Sequence, residues 1–337
     1  LIGNISRTPI DTTSLFIYLL YFLPALKDEK FRDGFVRTIS NYRISFGQKV
    51  TAIGHCAMCG ILLHFLANED EAELLKDEFV EFEEQNTAPK LCSDNSTVFN
   101  RIIPYVCARG PNYSSLKVCK DHSTSWFSSV LSLREPFTPQ SVEVHGRYIL
   151  QFNGELYNPE IHHNDTQFIA SLLATEGSDI PQIIRSLNGE FAYTIYDKLE
   201  RRFFFGRDRI GRRSLSFRLN EATGELFVAS VTGMLEGFED CIAGVIYTYD
   251  TKKKKLNNED HISGKFTICK DVDNNMERLN YYTEKLYQEL ALSVKKRVTS
   301  IHPMHIENSP IAILFSGGLD CSIVASLICG ELRRNIK

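Results

Sequence analysis

Residues 148–158 read YILQFNGELYN. The first five form a short apolar run of the kind that makes a buried strand. Asn153-Gly154 then interrupts the run, and taken alone this pair is a hairpin-turn signature. Similar apolar runs, separated by Gly, Pro and Asn, lie on both sides at 126–133, 191–196, 203–205 and 226–229. The pattern predicts several strands with few helices.

Further upstream, residues 59–67 read CGILLHFLA, which predicts another buried strand. Residues 69–84 are acidic, with Leu74, Leu75, Phe79 and Phe82 at the spacing of one helix face. A helix is expected there, and another over 165–175. The texture changes near residue 270. Tyr282, Leu286, Leu290, Val294 and Val298 recur every fourth position and predict one amphipathic helix over 278–298. Residues 311–315 then read as a strand buried on both faces, 316–320 as a turn and 321–332 as a helix. One strand, turn and helix cannot bury its own apolar faces, so this second domain is expected to be cut short.

Cys59 heads the first texture, directly after Met58. A thiol attacks a carboxamide only after losing its proton, and free cysteine has a pKa of about 8.5. No cysteine–histidine pair is evident nearby. The α-amino group of the nucleophile itself, with a reference pKa of about 8, can serve as the base. That requires Cys59 to be the first residue of the mature chain, because a peptide nitrogen has no basic lone pair. Translation from Met58 followed by removal of the methionine would expose it. Residues 1–57 are therefore read as an extension outside the mature protein.

Five further groups follow in order: Arg109-Gly110-Pro111-Asn112; Asn153-Gly154-Glu155-Leu156-Tyr157-Asn158; Asn164-Asp165-Thr166; Gly206-Arg207-Asp208; and Gly211, Arg213 and Leu215. Singly each is ordinary. Arg134 alone is a surface arginine, Asp165 alone can cap a helix, and Arg207 with Asp208 reads as a structural ion pair. In this order they resemble the class II glutamine amidotransferases, in particular the glutaminase half of asparagine synthetase. The resemblance implies an α+β fold, an αββα sandwich of the N-terminal-nucleophile type. It implies Cys59 as nucleophile and the Asn153 side chain and Gly154 N–H as oxyanion donors, a role suited to fixed hydrogen-bond donors. Arg134 would take the glutamine carboxylate, for which a guanidinium fork is suited. Glu155 and Asp165 would take its ammonium group. The segment after Arg134, EPFTPQ, is shorter than the family pattern.

Ser316-Gly317-Gly318-Leu319-Asp320 sits between the expected strand and helix. A glycine-rich turn there aims backbone N–H groups at a phosphate. The loop resembles the pyrophosphate loop of ATP pyrophosphatases, with Cys321 in place of the usual serine and Ser322 next. By that resemblance Leu314, Ser316, Gly317, Gly318, Asp320 and Ser322 contact ATP, and the second domain is α/β, adenine nucleotide α-hydrolase-like. A thiol is a poorer donor to phosphate than a hydroxyl.

The expected organisation is thus an extension over 1–57, a glutaminase domain over 58–245, a linker over 246–277 and the start of an ATP-binding domain over 278–337. Glutamine, aspartate and ATP with Mg2+ are the implied substrates and cofactors of the whole protein, in asparagine biosynthesis. A catalytically weak relative with a binding or regulatory role is the alternative. The net charge of -4 gives a nucleic-acid partner no electrostatic support. The apolar stretch at 14–26 contains Pro24 and is short of the ~20 residues that cross a bilayer. Cys56 and Cys59 have no second pair at zinc spacing, so no metal site is expected. Nine cysteines without regular spacing point to a reducing, cytoplasmic setting.

Overall fold

The computed structural model describes residues 58–82, 97–260, 275–301, 311, 313 and 316–335. The expectations for residues 1–57, for Leu314 and for most of the strand at 311–315 lie outside them. The chain divides into two compact units, with the break at residues 272–273.

The first unit runs β1 (Gly60–Phe65), α1 (Glu69–Ala72), β2 (Glu78–Phe82), α2 (Val98–Cys107), β3 (Tyr113–Cys119), β4 (Thr124–Val130), β5 (Val142–Val144) and β6 (Tyr148–Leu156). It continues with α3 (Asp165–Leu173), α4 (Ile180–Ser186), β7 (Gly189–Asp197), β8 (Arg202–Arg207), β9 (Ser216–Leu219), β10 (Leu226–Ala229), β11 (Glu239–Asp240), β12 (Val245–Asp250) and β13 (Lys255–Asp260). Two antiparallel sheets result. One has the order β11-β9-β10-β1-β4-β3-β2 and the other β13-β12-β8-β7-β6-β5.

Strand alternation sorts the apolar side chains into three layers. Ile61, Leu63, Trp126, Ile149, Tyr196 and Phe205 fill the space between the sheets. Leu150 and Phe152 face the other way, onto Ile169, Leu173 and Ile184 of α3 and α4. On the opposite outer face, Leu62 and Phe127 meet Phe99, Ile102, Ile103 and Val106 of α2. Full burial of such side chains stabilises by about 1.5–3 kcal/mol each. The order of layers is helix, sheet, sheet, helix, which is the expected αββα sandwich.

One polar side chain crosses the dry middle layer. Gln151, fully buried on β6, donates from Nε2 to Leu62 O (3.3 Å), Phe127 O (2.9 Å) and Ser128 Oγ (2.8 Å) on the facing sheet. Its Oε1 accepts from Thr194 Oγ1 of β7 at 2.9 Å.

Three sequence expectations need correction. The helix expected over 69–84 is confined to Glu69–Ala72, and Glu78–Phe82 is a strand. Leu74 and Phe79 are 80% and 56% exposed, so the helical spacing marks no buried face; pairing with β3, Val80 opposite Leu116, decides the conformation. Asn153-Gly154 is no turn but lies inside β6, opposite Ala192 and Phe191. The segment read as a linker from residue 246 begins with β12 and β13, which complete the second sheet. The lysines at 252–255 occupy the turn between them and the start of β13.

In the second unit α5 (Met276–Thr299) and α6 (Leu319–Asn335) pack on one another. Asn275 caps α5, its side chain accepting from Glu277 N and Arg278 N. Val294 and Val298 of the four-residue stripe are buried, whereas Tyr282 and Leu286 are exposed.

Candidate active site

Cys59 stands one residue before β1, in a tight corner. A Cβ on the adjoining Gly60 would collide with Ser129 Oγ and Val106. The thiol lies 3.4 Å from Leu131 N, which donates to it, and 3.7 Å from Leu131 O. Burial pushes its pKa up; the Leu131 N–H, Arg213 and Arg109 pull it down, and Asp165 adds a smaller upward push. The nucleophile position is therefore within electrostatic reach of Asp165.

Two arginines flank the main chain here. Arg109 Nε donates to Cys59 O at 3.2 Å, and Arg109 O accepts from Met58 N at 2.9 Å. Arg213 Nη1 lies against Met58 Sδ, and its Nη2 meets Glu190 Oε1 at 3.2 Å. Tyr157 OH donates to the same Glu190 oxygen at 3.3 Å. Arg213 Nε is buried with no hydrogen-bond partner among the described residues. Arg213 is delivered by the loop between β8 and β9, which is organised by buried Asp208. That carboxylate accepts from the N–H groups of Phe191 (3.1 Å), Ile210 (3.0 Å), Gly211 (3.2 Å) and Arg212 (3.1 Å). Gly211 has φ +73°, a conformation that suits glycine. The ion partner of Asp208 is Arg212 at 3.3 Å, not the neighbouring Arg207 expected from sequence.

Arg134 and Asp165 face each other at 2.5 Å, both nearly buried. Arg134 Nη2 also donates to Leu156 O at 3.1 Å. Asp165 opens α3, and the capping role falls to Asn164, whose side chain accepts from Thr166 N and Gln167 N. Opposed influences act on Asp165. Burial pushes its carboxyl up, Arg134 pulls it down, and Glu155 pushes it up again, leaving it at about 7.

Asn153 is 1% exposed, and its Nδ2 has no hydrogen-bond partner among the described residues. Alternation puts it on the same face as Gln151, toward the layer between the sheets. Gly154 has the complementary orientation in its main chain. Phe191 spends its N–H on Asp208 Oδ2 and its C=O on Asp208 N, so the Gly154–Phe191 pair is the non-hydrogen-bonded kind. The Gly154 N–H therefore points away from β7. It faces the margin of β6 that β5 stops covering after Leu150, where Gln140 takes over the main chain of Phe152. A Cβ on Gly154 would strike Glu190 O and Phe191.

The first unit thus gathers Cys59, Arg134, Glu155 and Asp165 into one electrostatic neighbourhood and leaves two main-chain and side-chain donors, at Gly154 and Asn153, turned outward from their strand. Arg109 and Arg213 were legible only as members of a motif, and Leu131 not at all; contacts through the fold, not local spacing, reveal them.

In the second unit, Gly317 has φ +83° and the loop before α6 is exposed. Cys321 Sγ lies 3.0 Å from Gly318 O and 3.5 Å from Ser316 Oγ, and Ser322 Oγ donates to Gly318 O at 2.8 Å. The Ser316 side chain, followed by the N–H groups of Ser316, Gly317 and Gly318, holds the Cys321 thiol below its ordinary pKa. Among the described residues, no group of three or more His, Cys, Asp or Glu could hold a metal ion, and no helix is long and apolar enough to cross a membrane.

Residues 134–237 match a family described as "Glutamine amidotransferase domain". An asparagine synthetase domain-containing protein of Saccharomyces cerevisiae is 53% identical over 283 residues, 82% of this chain and 53% of its own length. Asparagine synthetase domain-containing protein 1 of Gallus gallus is 34% identical over 40% of this chain and 22% of its own. Asparagine synthetase B [glutamine-hydrolyzing] of Escherichia coli is 26% identical over 53% of this chain and 32% of its own. The chain thus spans about half the length of the yeast relative and less of the others. A glutamine phosphoribosylpyrophosphate amidotransferase from B. subtilis aligns with a TM-score of 0.38 at 12% identity over 81% of this chain and 64% of that one, too loosely to add to the case. The chain belongs with the asparagine synthetase domain-containing proteins, and its first unit is a class II glutamine amidotransferase domain.

Proposed function

We propose that the first unit hydrolyses glutamine with Cys59 as its nucleophile, once Cys59 is the first residue of the mature protein. The observation that carries this reading is the buried Asn153 amide without a partner. An unpaired buried donor costs about 1–3 kcal/mol, a cost a protein bears where the donor has work to do. The thiol proton passes to the Cys59 α-amine as Sγ bonds to the amide carbon. Asn153 Nδ2 and the Gly154 N–H receive the oxyanion. Its collapse breaks the C–N bond, and ammonia leaves with the proton held by the amine. Water then cleaves the thioester. Arg134 receives the α-carboxylate of glutamine, exchanging part of its pairing with Asp165, while Asp165 and Glu155 receive the ammonium group.

For the whole protein we extend the proposal to ATP-dependent amidation of aspartate by the released ammonia, in a reducing, cytoplasmic setting. The support is the similarity to asparagine synthetase B and the glycine-rich loop before α6. Ser316, Gly317, Gly318, Asp320 and Ser322 would hold the phosphates of ATP, with Leu314 at the nucleotide. ATP with Mg2+ would supply carboxylate activation. The second reading, a catalytically weak binding or regulatory protein, is favoured by Cys321, which stands where the family has serine and whose thiol turns to Gly318 O inside the loop.

The deciding measurement is ammonia release from glutamine by protein whose first residue is Cys59. Release that disappears in Cys59→Ala supports the proposal. Equal release by Cys59→Ala sinks the nucleophile assignment, and no release by either favours the second reading.

A further inference from the structure

Arg213 has no role in the scheme above, yet it reaches the residue that must change for Cys59 to act. Its Nη1 lies against Met58 Sδ, in the residue whose carbonyl acylates the Cys59 nitrogen. Its side chain is only 14% exposed and, among the described residues, its ion partner is Glu190, at 3.2 Å. That carboxylate oxygen is shared with Tyr157 OH, and among the described residues Arg213 Nε has no hydrogen-bond partner. The guanidinium shares its counter-charge in a place poorly screened by solvent. Removing Met58 would free an ammonium group on the residue whose thiol already feels this fixed cation. Two like charges at such a site disfavour each other, so the amine gives up its proton more readily.

We propose that Arg213 is a positioning residue: its charge keeps the α-amino group of mature Cys59 neutral and able to accept the thiol proton. This rests on reading Cys59 as an amino-terminal nucleophile. An unperturbed α-amine of pKa about 8 is about one-tenth neutral at pH 7, and a fall of about one unit makes it half neutral. The same charge favours the thiolate, so one guanidinium helps both ends of the proton transfer. The other charged groups facing this point are Arg109, from the turn after α2, and Asp165, from the start of α3. Arg109 acts in the same direction as Arg213. Asp165 acts against them and is itself engaged by Arg134. Glu190, on β7, tempers Arg213 and sets the strength of its field.

The test separates this inference from catalysis. Protein is released from a fusion so that residue 59 comes first with the rest of the chain intact, in a Cys59→Ser background where no thiol competes for reagent. Competitive acetylation of the α-amine against pH, read by mass spectrometry of the first peptide, gives its titration midpoint. Arg213→Ala should raise the midpoint by about one unit, Arg213→Lys should leave it near the parent, and Glu190→Gln should lower it. Opposite shifts from the two partners would not follow from a merely structural role. If Arg213→Ala melts early, the Arg213→Lys and Glu190→Gln arms still decide. A midpoint unmoved by Glu190→Gln, or moved upward, overturns the inference. In the Cys59 protein, a shifted amine without ammonia release from glutamine would refute the glutaminase proposal and leave this one standing.

Discussion

Asn153 and Asp165 are both buried and both poorly served by their surroundings. The Asn153 side chain faces the inter-sheet layer with its Nδ2 unpartnered among the described residues, so its removal should relieve the fold while disabling the chemistry. Asn153→Ala is expected to keep its urea unfolding free energy within about 1 kcal/mol of the parent, or to gain, while glutamine hydrolysis falls about 10²–10³-fold. A large loss of stability would mean the amide is bonded after all. Asp165, at about 7, is neutral below that pH and must ionise before it can accept an ammonium group. Glutamine binding should therefore weaken about tenfold per unit as pH falls below 7, and Asp165→Asn should flatten that dependence, measured by calorimetry. The effect on folding has the opposite sense. The unfolded carboxyl ionises near about 4, so the folded state holds an extra proton between pH 4 and 7. The stabilisation this group provides at low pH is lost as pH rises through that window.

The loop between β8 and β9 is the element on which the site's arginine depends. Asp208 collects four N–H groups there, and Asp208→Ala would strand them in a buried corner. A loss of about 3 kcal/mol in urea unfolding is expected, with glutaminase activity lost in step. At this scale the sequence was legible where apolar residues run unbroken. The strands β4, β6, β7, β8 and β10 and the helices α3, α5 and α6 stand where the apolar pattern puts them, within a few residues. It was misleading where pairing partners are distant. β3 is mixed, YSSLKVC, with Ser114 and Ser115 buried against β4, and β2 becomes a strand only because β3 lies beside it. Helix α2 was not read from the sequence, although Phe99, Ile102, Ile103 and Val106 carry the 3–4 spacing and Thr97 caps its start; it runs through Pro104, a residue helices ordinarily exclude from their interior.

For the molecule as a whole, the order of motifs gave the sandwich, because each motif is a short local sequence tied to a fixed place in the fold. What sequence could not supply was which groups meet. Arg134 with Asp165, Arg213 with Met58, and Asp208 with Arg212 all depend on how the loops lie over the sheets. The alignment covers 53% of the yeast relative's length, so the synthetic half of the proposal is tested in full-length protein. Cys321→Ser should tighten ATP binding there by about 3–10-fold, the worth of one better hydrogen bond. Weaker binding would show that the thiol, not a hydroxyl, is what the loop requires.

The glutamine that threads from β6 into the opposite sheet works as a dowel between two boards. An oily interface tolerates sliding, but a shift by one pleat would tear this amide from three acceptors and maroon it in a dry seam, so only one seating is comfortable. Asn153 rides two positions along the same plank. The peg that locks the boards therefore also indexes the oxyanion donor, and loosening it should blur catalysis before it melts the protein.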